Sequence, residues 1–377
     1  GVVDGSALGD IRIETPSDHR VQAPCRHYKS CGGCQLQHAD DGFVAEWKQG
    51  IVRNALSAQG LETTFRPIYT SPPQSRRRAT LAVRRTKKGA MAGFHGRASG
   101  VITQIPDCHL LHPDLLAAIP MAEDLALIGA SRKTPLAVTV TLSDIGLDVL
   151  VMNGKPLDGP LRMQLAQSVE KLGITRLTWD DEQIAMTQPP TQTFGPARVC
   201  PPPGSFLQAT REGEAALLAG VQEIVAGAKR IVDLFAGCGT FALPLAKDAE
   251  ILAVEGEPEM VQALEAGWRQ AKGLKVVKAV ARDLFRRPMM PDELNPFGAF
   301  YEAAVIDPPR SGAESQVAEL IKARTKIIAY VSCNPISFAR DAKLLVDAGY
   351  QLNWVQVVDQ FRWSAHTELV ASFTLAD

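Results

Sequence analysis

The segment Val331-Ser332-Cys333-Asn334-Pro335 places a thiol where an apolar run ends and a helix can begin. A helix N-terminus favours the thiolate, so Cys333 is expected to have a lowered pKa and to act as a nucleophile. Two other apolar runs end in motifs of the same kind: Asp233-Leu-Phe-Ala-Gly237-Cys-Gly239-Thr-Phe-Ala242 and Asp307-Pro308-Pro309-Arg310-Ser311-Gly312. The first fits a strand-to-helix turn whose backbone approaches a ligand, and Glu255, ending the next run, suits ribose hydroxyls. NAD, S-adenosylmethionine and other adenosine ligands all meet that description. A pyrophosphate favours neutral or positive partners, whereas Asp233 is better placed near a cation. That preference points to S-adenosylmethionine, a sulfonium that carries an ammonium group and no phosphate.

A thiol beside a methyl donor solves a particular chemical problem. C5 of uracil or cytosine is too poor a nucleophile to take a methyl group directly, but thiolate attack at C6 makes C5 enolate-like. The resulting adduct keeps a C5 proton that a base must remove before sulfur can leave. Glu368, in His366-Thr-Glu368-Leu-Val before the last apolar run, is the candidate base, with His366 able to orient it or simply to pack. A duplex hides both faces of the C5–C6 bond, so the substrate should be an unpaired or flipped base, as in loops of structured RNA. Arg76, Arg77, Arg78, Arg84, Arg85, Lys87 and Lys88, with no acid among them, would make a cationic strip for phosphates if they alternate along strands.

A second cluster lies near the N-terminus. Cys25, Cys31 and Cys34 form a Cys-x5-Cys-Gly-Gly-Cys triplet, and Cys108 follows in Pro-Asp-Cys-His. Four thiolates can hold zinc or a [4Fe–4S] cluster; zinc sites usually pair their ligands in two close couples, so a triplet plus one favours the cluster. His27 and His109 are alternative ligands.

The elements that must position these residues follow from periodicity. Apolar residues at three-to-four spacing predict a helix over 42–59. From Ala79 to Met152 the pattern predicts strands at Ala79–Val83, Met91–Phe94, Val101–Ile105, Leu136–Leu142 and Gly146–Met152, arranged as hairpins, with one helix over Leu161–Lys171. Six prolines between Gln188 and Gly204 mark a domain boundary. Beyond it, strands at Ile231–Phe235, Ile251–Glu255, Val276–Val280, Ala303–Asp307 and Ile327–Ser332 alternate with helices over 258–272, 313–322 and 336–348. That alternation means an α/β doubly wound parallel sheet, and the tail, Tyr350–Val358 and Leu369–Leu375, adds an antiparallel edge pair. The middle region reads as a mainly antiparallel α+β domain carrying the metal cluster.

With 377 residues, 46% hydrophobic, the chain is long enough for two or three globular units. Its 40 basic and 41 acidic residues sum to −1, but residues 1–200 hold 22 basic against 19 acidic and the remainder 18 against 22. No stretch approaches the roughly 20 uncharged apolar residues of a membrane helix and no signal peptide is apparent, so a cytoplasmic protein without structural disulfides is expected. The chain begins at Gly1 rather than Met, which reads as a trimmed N-terminus.

Taken together these motifs resemble the iron–sulfur-containing RNA uracil-5-methyltransferases, a family with a class I, Rossmann-like catalytic domain that makes 5-methyluridine in ribosomal RNA. The likeness runs from about Arg20 to Ser372 and rests on Cys-x5-Cys-Gly-Gly-Cys-x-Leu-Gln-His, Phe206-x-Gln208, the glycine loop, Asp-Pro-Pro-Arg-x-Gly, Ser-Cys-Asn-Pro and His-x-Glu. It implies Cys333 as nucleophile, Glu368 as base, and S-adenosylmethionine contacts at Gln208, Phe235, Thr240, Glu255, Asp283 and Asp307. It further implies a [4Fe–4S] cluster on Cys25, Cys31, Cys34 and Cys108, and 23S rRNA with a flipped uridine as partner of a monomeric enzyme. Relatives often carry Asn at the positions of Thr210 and Thr240. Residues 1–24 would be the remnant of an OB-like TRAM domain, 25–204 the cluster and RNA-binding domain, and 205–377 the methyltransferase domain. Helix 41–60 packs on the catalytic domain in the family. Other readings of the same motifs are a tRNA uridine or RNA cytosine methyltransferase, an NAD-linked iron–sulfur oxidoreductase, and a non-catalytic RNA-binding module.

Overall fold

The computed structural model describes residues 2–4, 7–9, 12–295 and 301–375. Short continuous apolar runs bounded by Gly and Pro form the centre of a nine-stranded sheet. Its parallel part runs in the order Val277–Ala281, Glu250–Glu255, Arg230–Leu234, Ala303–Ile306 and Ile327–Ser332. Glu368–Leu375 then pairs antiparallel with Ile327–Ser332, and Tyr350–Asp359 antiparallel with Glu368–Leu375, giving the expected edge pair. These central strands are covered on both faces, which is why they read as unbroken apolar runs. Every residue of Ala303–Ile306 is buried.

The sheet does not end with its own domain's sequence. Two short strands, Thr64–Phe65 and Tyr69–Thr70, pair in parallel with Tyr350–Asp359. The helix Asp41–Ala58 just before them packs on the helix Pro335–Asp347 and on Tyr350–Asp359. Its Val52 and Leu56 share one core with Phe338, Leu345 and Val355. Asp40 starts this helix by accepting a hydrogen bond from Phe43 N (2.8 Å).

A seven-stranded sheet forms the middle region, in the order Glu182–Met186, Ile174–Trp179, Leu147–Met152, Leu136–Leu142, Arg78–Arg85, Ala90–His95, Ile102–Thr103. All its pairings are antiparallel except Leu147–Met152 with Ile174–Trp179, which the helix Gly159–Lys171 connects. The reading from sequence omitted the strand Ile174–Trp179, although all six of its residues are buried, and the helix Ile119–Gly129. The proline-rich stretch contains a small hairpin, Gln192–Phe194 with Ala197–Val199, whose Phe194 and Val199 join the core beneath the parallel sheet. Among the described residues, no helix is long and apolar enough to cross a membrane.

Candidate active site

The loops at the carboxyl ends of the parallel strands gather the expected residues, as the open-sheet rule requires. Strand Arg230–Leu234 runs into Phe235, whose φ of 64° is unusual for a non-glycine residue, and then Gly237 (φ 56°) and Gly239 (φ 94°). The two glycines differ in purpose. A Cβ on Gly239 would lie 2.8 Å from Leu243 and 3.0 Å from Leu264, so that glycine permits close packing. A Cβ on Gly237 would meet nothing within 4 Å, so the space beside that glycine is open and its positive φ is what calls for glycine.

Three carboxylates surround this loop. Asp233 is wholly buried and neither of its carboxylate oxygens has a hydrogen-bond partner. Burial first, then Asp307 and Glu255, push its pKa far above the usual range. Glu255 accepts from Gly237 N (2.9 Å) and Glu257 N (3.0 Å). Burial and Glu255 push Asp307 up to about 7. An unpartnered buried carboxylate inside a cluster of like charges fits a ligand that brings positive charge and hydrogen-bond donors. S-Adenosylmethionine, with a sulfonium, an ammonium and ribose hydroxyls, has that donor set. Phe235 and Phe285 pack with ring centroids 5.5 Å apart at a tilt of 50°. Thr240 is half-buried on the loop, and Asp283 caps its own turn by accepting from Phe285 N (3.0 Å).

Beyond this loop lies a cavity of about 500 Å³, lined by Cys333, Glu368, Thr367, His366, Arg310 and Phe206 among others. Cys333 is half-buried at the end of strand Ile327–Ser332. Asn334 caps the following helix, its Oδ1 accepting from Ile336 N (3.1 Å) while its Nδ2 donates to Arg310 O (2.7 Å). The expected lowering of the thiol pKa is not what results. Burial, Glu368 and Asp307 raise it, and together they outweigh Arg310 and the residue's own backbone N–H.

Glu368 is 4% exposed, and its pKa is pushed up to about 8 by burial first and Asp307 next. Gln360 Nε2 donates to Glu368 Oε2 and also to Gln208 Oε1 (2.7 Å). Gln208 Nε2 in turn donates to Asp307 Oδ2 (3.3 Å), and Gln360 Oε1 accepts from Thr210 N (3.3 Å). One chain of amides therefore joins the candidate base to the carboxylate at the glycine-loop side. His366 does not orient Glu368: its Nδ1 meets Arg310 Nη2 at 3.0 Å, and burial with Arg310 lowers its pKa. Phe206 is 60% exposed on the cavity rim. Gln360 was missed in the sequence, where nothing marks it. Lys48 and Asp359, a buried ion pair (2.5 Å) behind Gln360, were missed too; a Lys inside an apolar helical stripe was the available signal.

The basic run divides rather than forming one strip. Arg77 is buried, donating to Glu214 (2.5 Å) and Gln208 O (2.9 Å), and Arg78 donates to Gly204 O (2.6 Å). Arg84, Lys87 and Lys88 are the exposed members, at a hairpin end. Inward arginines of this kind tie strand Arg78–Arg85 to the segment before the catalytic sheet.

Cys25, Cys31, Cys34 and Cys108 line one small cavity with Phe94 and Ile105. Burial and the other three thiols push Cys34 up to about 12. Cys31 Sγ accepts from Gly33 N (3.4 Å) and Cys108 Sγ from Leu110 N (3.5 Å). Among the described residues, no group of three or more His, Cys, Asp or Glu is arranged to hold a metal ion.

This arrangement can be compared with known proteins. The pattern of the tRNA (Uracil-5-)-methyltransferase family matches residues 201–373. A curated relative, the 23S rRNA (uracil(1939)-C(5))-methyltransferase RlmD of Shewanella piezotolerans, is 31% identical over 97% of this chain and 84% of its own length. The chain belongs to the RNA uracil-5-methyltransferase family. Another relative of this methyltransferase, an uncharacterised RNA methyltransferase of Rhizobium meliloti, is 41% identical over 96% of this chain and 88% of its own. The methyltransferase fold is also that of the Pyrococcus abyssi tRNA (uracil-54, C5)-methyltransferase solved with S-adenosyl-L-homocysteine. That structure aligns with a TM-score of 0.72 and 21% identity over 96% of this chain and 87% of that one. The RNA methyltransferase reading thus stands, and the oxidoreductase and the non-catalytic module are set aside.

Proposed function

We propose that this methyltransferase acts on C5 of a uridine in structured RNA, with 23S rRNA as the substrate, through a covalent adduct on Cys333. The carrying observation is that Cys333 and Glu368 face one cavity while Asp307 links that cavity to the glycine loop. S-Adenosylmethionine, when bound, supplies an electrophilic methyl group. Gln208, Phe235, Thr240, Glu255, Asp283 and Asp307 are its proposed contacts. A flipped uracil stacks on Phe206 at the rim, where the Cys333 thiolate adds to C6 and makes C5 nucleophilic. After methylation, Glu368 takes the C5 proton, and the electron pair expels the sulfur. A base with its pKa near the working pH is suited to that transfer, and about 8 meets the requirement.

The cysteine site is proposed to hold a [4Fe–4S] cluster on Cys25, Cys31, Cys34 and Cys108. Four thiols around one buried cavity, two of them accepting backbone N–H groups, suit a cluster that spreads its ligands over the corners of a cube. Its role is structural, since methyl transfer needs no redox step. The proposed organisation is a cluster and RNA-binding unit over 25–204 and a catalytic unit over 205–377, in a cytoplasmic monomer.

Ribosomal RNA is favoured because the RlmD relative matches 97% of the chain at 31% identity. Mapping 5-methyluridine in a strain that lacks this protein tests the assignment. One 23S uridine should lose its methyl group and regain it with the wild-type gene but not with Cys333→Ala. Loss confined to transfer RNA, or loss of 5-methylcytidine instead, would overturn it.

A further inference from the structure

Helix Asp41–Ala58 buries Val44, Lys48, Val52 and Leu56, a single stripe at four-residue spacing. Lys48 takes a position that an apolar residue would fill, and it is completely buried. Its Nζ donates to Asp359 Oδ1 (2.5 Å) and to Phe361 O (3.0 Å). Asp359 Oδ1 also accepts from Phe361 N (2.9 Å), and Asp359 O accepts from Ser71 N (2.9 Å). Both backbone groups of Phe361 are therefore held by this ion pair, and Gln360 is clamped between its two ends. Gln360 is the residue whose amide bonds Glu368 and Gln208.

We propose that Lys48, acting with Asp359, is a positioning residue for the Glu368 base: it fixes the turn that aims Gln360 at Glu368. The proposal rests on the covalent mechanism above. Stability alone does not account for the pair, because a buried ion pair is often replaceable by apolar residues of similar volume without loss. Field effects do not account for it either. Lys48 lowers the Glu368 pKa while Asp359 raises it, so the two charges oppose each other. What remains is geometry, and displacement of a reacting group by about 1 Å can reduce a rate on the order of 100-fold.

A misplaced base has a signature that general damage lacks. The thiol still attacks and the methyl group still transfers, but the C5 proton leaves slowly, so the protein–RNA adduct accumulates. The experiment uses the full chain, S-adenosylmethionine and an unmodified 23S rRNA transcript, with quantification of the denaturation-stable adduct alongside turnover. Glu368→Gln is the reference and should trap adduct; if it does not, the covalent reading itself fails whatever Lys48 does. Given that reference, Lys48→Met should lose on the order of 100-fold in kcat, keep KM for RNA within about threefold, and raise the trapped fraction above wild type. Lys48→Met with Asp359→Asn removes both buried charges and keeps an oxygen for Phe361 N, so it serves if the single variant fails to fold. It should trap adduct as well. Folded variants that turn over at the wild-type rate, or that lose turnover and adduct together, overturn the proposal.

Discussion

Glu368→Gln should stabilise the protein in a pH-dependent way. The wild-type carboxyl is buried against Asp307, with its pKa moved from 4.5 to about 8. Between those values the native state holds a proton that the unfolded state has already released. Stability conferred by this position therefore falls as pH rises through the window, the opposite of a salt-bridged carboxylate. A shift of that size corresponds to a ceiling of roughly 5 kcal/mol, fully expressed above the folded pKa. Gln keeps an oxygen for Gln360 Nε2 but carries no charge. Thermal melts of both proteins from pH 4.5 to 9 would show similar midpoints at the acidic end. The gap should widen in favour of the variant up to about pH 8 and then level off. A gap that stays constant across this range, or that opens in the other direction, would refute the view that burial, with Asp307 beside it, holds the Glu368 carboxyl protonated.

Two further outcomes follow from the loop and the cysteines. Gly237→Ala should lower the melting temperature by only a few degrees, since an αL Ala costs about 1–2 kcal/mol and its Cβ meets no protein atom. The same variant should weaken S-adenosylhomocysteine at least about tenfold by calorimetry, because about 1.4 kcal/mol of lost contact suffices; unchanged affinity would show that the space is not the ligand's. Cys34→Ser should abolish iron content and the absorbance near 400 nm in anaerobically prepared protein. Stoichiometric zinc without iron in the wild type would contradict the cluster.

Much of the catalytic half was legible because its central strands are short apolar runs, each ending in a chemically distinctive motif. Asp233, Glu255, Asp307 and Cys333 lie at strand ends, and the open-sheet rule alone brings them to one edge. What failed were inferences that depend on partners distant in sequence. Strand Ile174–Trp179 reads as half polar because Thr175, Arg176 and Thr178 lie inside it, and Asp148 on the next strand, bonded at 2.8 and 2.6 Å, with Pro201 O at 2.8 Å, makes the burial of Arg176 tolerable. The helix Ile119–Gly129 is apolar on nearly every side, so it shows no clear period. Arg77 looked like a phosphate ligand until Glu214 was found against it. The Cys333 pKa direction was misread for the same reason: the helix N-terminus is local, whereas burial, Glu368 and Asp307 come from parts of the fold distant in sequence. No local pattern announces that residues 64–70 extend a sheet built mostly from residues 230–375.

The central claim is that Cys333 adds covalently to a uracil ring during methyl transfer. Incubating the protein with S-adenosylmethionine and 23S rRNA transcribed with 5-fluorouridine blocks the final proton removal and should leave the adduct on the enzyme. Mass analysis of nuclease-trimmed protein should find Cys333 carrying a methylated fluorouridine nucleotide, absent from Cys333→Ala. Methylation of ordinary RNA by Cys333→Ala at the wild-type rate, or an adduct on a different residue, would contradict the account.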